Sequence, residues 1–232
     1  MITKDKYLII AAGGSGSRMR KETPKQYIEI NGKPIIIWTL DAFKPFVEIK
    51  NMIVVISSKH ITYWNEITKY YPEYSECKIS IGGPNRFYSI KAGLKQIPNN
   101  VLLAIHDAAR PLVSTKTIED CFVVASKKGS AIPIIQLDES VREKIGNSSK
   151  IINRQTLRIV QTPQVFKSEL IKEAYQQTYN EMFTDDASVA EKYGVNISLS
   201  KGNIENKKIT HPMDLSFASI ILPPASPSIY TE

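Results

Sequence analysis

Gly13, Gly14 and Gly16 are followed by Arg18, and the run Pro24-Lys25-Gln26-Tyr27 comes just beyond. Glycines let a backbone turn tightly and aim N–H groups at an anion with no Cβ in the way. Two cations fixed beside such donors suit a triphosphate. The loop is not a P-loop, because the Gly-Lys-Ser/Thr ending is missing, and its third glycine misses the dinucleotide fingerprint. A second candidate is His106-Asp107-Ala108-Ala109-Arg110-Pro111, directly after an apolar run. An Asp-x-x-Arg pair is most often a structural ion pair, but a position at a strand end puts Asp107 on the rim where sites form. His106, between Ile105 and Asp107, reads as structural. His60 and His211 lie in polar contexts and carry no role. Cys77 and Cys121 have no metal-ligand spacing and read as buried thiols of a reducing compartment, the cytoplasm.

The elements that must position these groups alternate. Lys6–Ala12 is a largely apolar run of the kind buried on both faces of a parallel sheet, Met52–Ser57 reads as a second buried strand, Val101–Ile105 as another apolar one, and Lys78–Ile81 and Ala131–Ile135 as further strands. Between them, 34–43, 60–70, 87–96 and 115–126 have helical spacing, with Pro34 in a first turn and Asn31-Gly32 as a turn. A further helix is expected at 168–179, capped by Ser168. This repetition predicts an α/β fold with a doubly wound, mostly parallel sheet. Ligands bind such sheets beyond the carboxyl ends of the strands. That rule puts the loops after Ala12, after Ile81 and at 106–111 on one rim. From 137 to 159 the pattern loosens into charged residues around Gly146-Asn147, which predicts a protruding β-arm.

At 232 residues with 42% hydrophobic and 23% charged side chains, the chain has an ordinary globular composition. It is read as one domain over 1–222, followed by an unstructured Pro/Ser-rich tail at 223–232. No apolar run is long enough to span a bilayer, so no membrane association is expected. The net charge of +7 favours anionic partners. The basic residues are scattered, with no run of five, which argues against nucleic acid, and most of the lysines read as a solvated surface.

Six blocks, in order, resemble the methylerythritol phosphate cytidylyltransferase family of the sugar-nucleotidyltransferase superfamily. They are Ala11-Ala12-Gly13 with Arg18-Met19 and Pro24-Lys25-Gln26-Tyr27; Gly82-Gly83-Pro84-Asn85-Arg86 with Ser89; 106–111; Arg154 with Thr162-Pro163-Gln164; Thr184-Asp185-Asp186-Ala187-Ser188; and Asn206-Lys207-Lys208-Ile209-Thr210. The resemblance implies a Rossmann-like nucleotidyltransferase fold and transfer of CMP from CTP to a small phosphorylated polyol, methylerythritol 4-phosphate, with loss of pyrophosphate. By the same resemblance Arg18, Lys25, Arg154 and Lys208 are catalytic. CTP would meet Ala11, Ala12, Gly13, Gly14, Gly16, Arg18, Lys25, Gly82, Arg86 and Ser89. The acceptor would meet Asp107, Arg110, Ser140, Arg154, Thr162, Thr184 and Lys208. The implied cofactor is Mg2+, held mainly by CTP phosphates with no protein ligand assigned. The implied assembly is a homodimer in which the arm, carrying Ser140 and Arg154, reaches the neighbour's site.

The glycine loop is one residue longer than the commonest form of the family and resembles that of ribitol 5-phosphate cytidylyltransferases, which keeps that acceptor as an alternative. Pro84 stands where many relatives have an acidic residue, and Ser140 where threonine is usual. The alanines of 106–111 and the 184–188 block favour methylerythritol phosphate. A catalytically silent nucleotide-binding regulator on the same fold is the alternative from another class. The acceptor-positioning pair Arg154 and Lys208 argues against it.

Overall fold

The computed structural model describes residues 5–14 and 23–225. The chain runs through β1 (Lys6–Ala12), a hairpin of β2 (Glu29–Ile30) and β3 (Lys33–Pro34), α1 (Ile35–Phe43), β4 (Met52–Ile56) and α2 (Ile61–Tyr70). Next come β5 (Lys78–Ile81), α3 (Arg86–Leu94), β6 (Leu102–Asp107), α4 (Thr115–Lys128) and β7 (Ser130–Gln136). The second half adds β8 (Arg142–Ile145), β9 (Ser148–Ile151), β10 (Arg158–Val160), β11 (Gln164–Lys167), α5 (Ser168–Ala174), α6 (Asp186–Tyr193), β12 (Leu199–Lys201) and α7 (Pro212–Ile221).

The main sheet has the order β10-β7-β11-β6-β1-β4-β5, with β12 beside β7. Strands β6, β1, β4 and β5 are mutually parallel, and β11 is antiparallel to both β6 and β7. Alternation along β1 divides the core. Leu8, Ile10 and Ala12 face α1, α2 and α4, while Ile9 faces α3, α5 and α6. With helices on both faces, the central strands β4 and β6 are buried at every position, which is why they read as nearly continuous hydrophobic runs. The α/β doubly wound, mostly parallel fold is the one expected.

Local chemistry explains most boundaries. Asn31 and Gly32 both take positive φ (53° and 80°), the backbone of a two-residue hairpin turn. Pro34 stands just before α1, whose opening Ile35, Ile36 and Ile37 are fully buried. A β-branched residue costs a helix a few tenths of a kcal/mol, against about 1.5–3 kcal/mol gained by burying each side chain. Burial wins. Asn85 caps α3 by accepting from the Tyr88 N–H, and Ser114 caps α4 through the Thr117 N–H. Cys77 and Cys121 are free and buried, and burial pushes both thiols up to about 12.

Four expectations need correction. Ser168 is not a cap: Lys167 occupies that position without a side-chain bond. The buried Ser168 hydroxyl instead accepts from the Val101 N–H, tying α5 to the start of β6. Helix α5 ends at Ala174 rather than Tyr179, because Tyr175 is drawn inward, its ring stacked on Phe87 at 4.9 Å. The arm is shorter than 137–159, since β10 begins at Arg158 and pairs Ile159 with Ile135 of the main sheet. The tail expected to be unstructured from Pro223 is tied at Ala225, whose N–H donates to the Asn31 carbonyl. Residues 226–232 of that tail lie outside the described residues.

The arm, up to Leu157, is built on the β8–β9 hairpin, which turns at Gly146 with φ +56° and is exposed along both strands. A lone two-stranded hairpin is marginal in water. The sequence pattern does not announce β11, which is fully inserted between β6 and β7. It continues the line of β10 against β7 after a break at Gln161-Thr162-Pro163, where the Thr162–Pro163 bond is cis.

Candidate active site

A cleft of about 460 Å³ opens beyond the carboxyl ends of β1 and β6. It lies where the chain crosses from β4 and β5 on one side of β1 to β6 on the other, the switch point of an open α/β sheet. Its walls come from the three loops expected on this rim, contributing 11–14, 83–86 with Ser89, and 107–109, joined by Lys25, Gln26, Lys208 and Thr210.

The glycine loop is anchored by a residue that sequence reasoning passed over. Buried Gln26 donates its amide to the carbonyls of Ala12 at 2.7 Å and Gly14 at 3.3 Å. Lys25, in the same one-turn 3-10 helix, donates Nζ to the Ile209 carbonyl at 2.8 Å and lines the cleft. Gly16 and Arg18 lie outside the described residues. On the opposite wall the buried Ser89 hydroxyl donates to the Asn85 carbonyl and accepts from the Gly83 N–H. A Cβ on Gly82 would stand 2.8 Å from Ser89 Oγ, and one on Gly83 2.4 Å from Tyr88 Cβ. Only glycines let this loop lie so close to α3.

Asp107 is the last residue of β6 and pairs in register with Ala11. Its Oδ2 accepts from Arg110 Nε at 3.2 Å and Lys208 Nζ at 3.1 Å, and its Oδ1 is 4.0 Å from Arg86 Nε. Burial alone would raise this carboxyl, but Lys208, Arg86 and Arg110 together hold it far below the usual carboxylate range. Arg110 donates its Nη1 to the Asn206 carbonyl at 2.8 Å and stands behind Asp107, so the structural ion pair and the rim carboxylate coexist. Beneath them, Thr162 Oγ1 accepts from the Asp107 N–H and bonds His106 Nδ1, while His106 Nε2 bonds the Arg110 carbonyl. With the ring proton on Nε2, each partner is satisfied. Burial lowers this histidine to about 4, so it is a neutral structural residue at neutral pH, as expected.

Arg86 lines the cleft, yet its two terminal nitrogens bond Asp186 Oδ1 and Oδ2 at 2.8 and 2.5 Å. Asp186 is fully buried and also accepts from the Tyr175 hydroxyl at 2.6 Å. Burial would lower the Arg86 guanidinium, but Asp186 and then Asp107 raise it above its ordinary value. The adjacent Asp185 caps α6 through the Ser188 N–H, and Gln164 of β11 bonds both Asp185 and the Ala187 N–H. Asp186 is absent from the expected site residues. Its motif is visible in sequence, but its partner is a hundred residues away.

Of the expected residues, Ala11, Ala12, Gly13, Gly14, Lys25, Arg86, Ser89, Asp107 and Lys208 line this one cleft. Arg110 and Thr162 lie directly behind Asp107. Gly82 lies just outside the lining, packed against Ser89, and Ser140, Arg154 and Thr184 do not line the cleft. Ser140 and Thr184 are exposed, and Arg154 borders a separate groove with Gln136, Asp138 and Arg158 while donating to the Asp138 carbonyl. Among the described residues, no three His, Cys, Asp or Glu side chains gather as a metal-binding group. No helix among them is long and apolar enough to cross a membrane.

The family model described as 2-C-methyl-D-erythritol 4-phosphate cytidylyltransferase matches residues 7–223. A Porphyromonas gingivalis protein of that name is 41% identical over 218 residues, 94% of this chain and 97% of its own length. A Bacteroides fragilis protein of the same name is 42% identical over 214 residues, covering 92% and 98%. Among solved structures, the Francisella tularensis 2-C-methyl-D-erythritol 4-phosphate cytidylyltransferase superposes with a TM-score of 0.78 at 30% identity, covering 94% of this chain and 100% of its own. The 4-diphosphocytidyl-2C-methyl-D-erythritol synthase of Anaerococcus prevotii gives 0.79 at 26% identity, covering 94% and 96%.

Proposed function

We infer the working of this chain, which belongs to the 2-C-methyl-D-erythritol 4-phosphate cytidylyltransferase family, from the cleft at the ends of β1 and β6. It transfers CMP from CTP to 2-C-methyl-D-erythritol 4-phosphate in non-mevalonate isoprenoid precursor synthesis. An oxygen of the acceptor phosphate bonds to the α-phosphorus of CTP. The bond from that phosphorus to the bridging oxygen breaks, and its electron pair leaves with pyrophosphate. Such a reaction needs alignment and charge neutralisation more than covalent help.

The observation that carries the reading is the approach of Lys208, Arg110 and Arg86 to a single rim carboxylate, Asp107, in a cleft that Lys25 and the glycine-loop backbone also line. In this reading the backbone of 11–14, with Gly16 and Arg18, cradles the triphosphate. Lys25 meets the charge that grows on the phosphates in the transition state. Gly82, Ser89 and the facing Ala11 and Ala12 shape the base pocket. Lys208, tethered to Asp107, and Arg154 hold the acceptor phosphate, while Asp107 and Arg110, with Ser140, Thr162 and Thr184, orient its hydroxyls. Asp107 is already engaged by three cations, so this donor set fits Mg2+ arriving on CTP phosphate oxygens and retaining its waters. When bound, the ion neutralises part of the polyphosphate charge. Pyrophosphate release with CTP and magnesium tests the reading. Methylerythritol 4-phosphate is expected to be strongly preferred over ribitol 5-phosphate, and the reverse preference would refute it.

The chain is further read as one cytoplasmic nucleotidyltransferase domain that forms a homodimer and engages neither nucleic acid nor membrane. Arg154 and Ser140 lie away from the cleft on an exposed arm, and Ile145 and Ile151 of that arm are 54% and 73% exposed. Both facts suit an arm that completes a partner's site. Arg154→Ala and Lys208→Ala chains, each inactive alone, should regain about a quarter of wild-type activity when unfolded and refolded together, because half of the mixed-dimer sites are intact. Arginine and lysine acting within one subunit would give no recovery.

A further inference from the structure

Asp186 sits at the start of α6, has no exposed surface, and spends its whole carboxylate on two partners. Oδ1 accepts from Arg86 Nη1 at 2.8 Å and from the Tyr175 hydroxyl at 2.6 Å, while Oδ2 accepts from Arg86 Nη2 at 2.5 Å. Pairing of both terminal nitrogens with both oxygens fixes the guanidinium plane. In that orientation only the Nε edge turns toward Asp107, whose Oδ1 it faces at 4.0 Å. Asp107 Oδ2 is taken by Arg110 and Lys208. Among the described residues no side chain donates a hydrogen bond to Oδ1, and Asp107 lines the cleft.

We propose that Asp186, seated by Tyr175, is a positioning residue for the transfer: by holding the Arg86 fork it keeps Asp107 Oδ1 open to a substrate hydroxyl. The proposal deepens the reading given above, since it takes Arg86 and Asp107 as residues that meet substrate. Two carboxylates lie within reach of one guanidinium, and a bidentate grip on either is stronger than the 4.0 Å approach seen at Asp107. Asp186 wins because it offers both oxygens in a site from which water is excluded. Without its charge the fork turns to Asp107, closes Oδ1 and occupies the rim.

The test is a double-mutant cycle with KM for each substrate determined separately. Asp186→Asn keeps the shape and removes the charge. It is expected to lower kcat/KM for methylerythritol 4-phosphate by about 10–100-fold while the KM for CTP shifts by less than about threefold. In an Arg86→Gln background the same substitution should cost less than about twofold, since there is no fork left to hold. Independent, additive losses would mean that Asp186 only supports the fold, and would overturn the proposal while leaving Arg86 in the site. An Arg86→Gln enzyme with wild-type kcat/KM would instead remove the reading of the cleft, and the proposal with it. Should Asp186→Asn not fold, Tyr175→Phe carries the test, because it loosens Asp186 without touching its charge. A loss of about two- to fivefold that vanishes beside Arg86→Gln supports the proposal, and an unchanged or additive result refutes it.

Discussion

Lys25→Ala is expected to lower kcat by about 10²–10³-fold while leaving the KM for CTP within about threefold of wild type. The magnitude is that of removing one preorganised donor from a site where charge develops. Preorganisation here is structural. Lys25 begins a one-turn helix closed by the Tyr27 N–H bonding the Pro24 carbonyl, and its neighbour Gln26 ties the turn to Ala12 and Gly14. The ammonium is held by the Ile209 carbonyl, between the lining residues Lys208 and Thr210. Loss of the hydrogen bond to Ile209 costs about 1 kcal/mol, small beside the core that α1 and β1 bury, so the variant should fold. Lys25→Arg keeps the charge but not the compact point donor, and should recover only part of the rate. Steady-state kinetics with saturating acceptor decide the matter. A variant that loses CTP affinity with kcat intact would make Lys25 a ground-state binder.

The second large effect is expected at Asp107, where one substitution should damage both stability and rate. Asp107→Asn leaves Arg110 and Lys208 without the carboxylate that holds them at 3.2 and 3.1 Å. Removing one partner of a fully buried pair costs about 3–5 kcal/mol, and the cost here should be nearer 2–3 kcal/mol because the half-buried Lys208 can turn to water. For a chain of this size that is a fall in Tm of about 5–10 °C. The rate should fall with it by about 10²-fold or more, since Lys208 loses its tether and the rim loses its acceptor. The pH dependence separates this loss from generic damage. The Asp107 carboxyl is depressed when folded, so its contribution is fully present above the unfolded carboxylate range near 3.9 and is lost as pH falls below it. The gap in Tm between wild type and variant should therefore stay constant from pH 8 to about 5 and narrow only in stronger acid. A gap that changed across neutral pH would point to another group.

Much of the fold was legible because its signals are local. The runs Leu8–Ala12 and Met52–Ile56 are apolar at every position, and a sheet covered on both sides uses such runs. Asn31-Gly32 and Gly146-Asn147 marked turns because few other residues take positive φ at little cost. The end of α5 and the strand β11 were not legible. Tyr175 leaves helical geometry for a partner on α6, and Gln164–Lys167 is a strand because β6 and β7 stand on either side of it.

The sequence by itself determined the alternation of layers, the glycine loop with its following lysine, and a carboxylate placed at the end of β6. Each follows from the preferences of neighbouring residues for burial, for a turn or for an anion, which act whatever the rest of the chain does. Only the tertiary structure decided which charges meet. Asp107 takes Lys208, Arg86 bonds Asp186 while its Nε edge faces Asp107, and Gln26 chooses the carbonyls of Ala12 and Gly14. An ion pair or a buried amide bond depends on distance and on the exclusion of water. Both are set by how the sheet brings remote strand ends and loops together, and no local pattern records them.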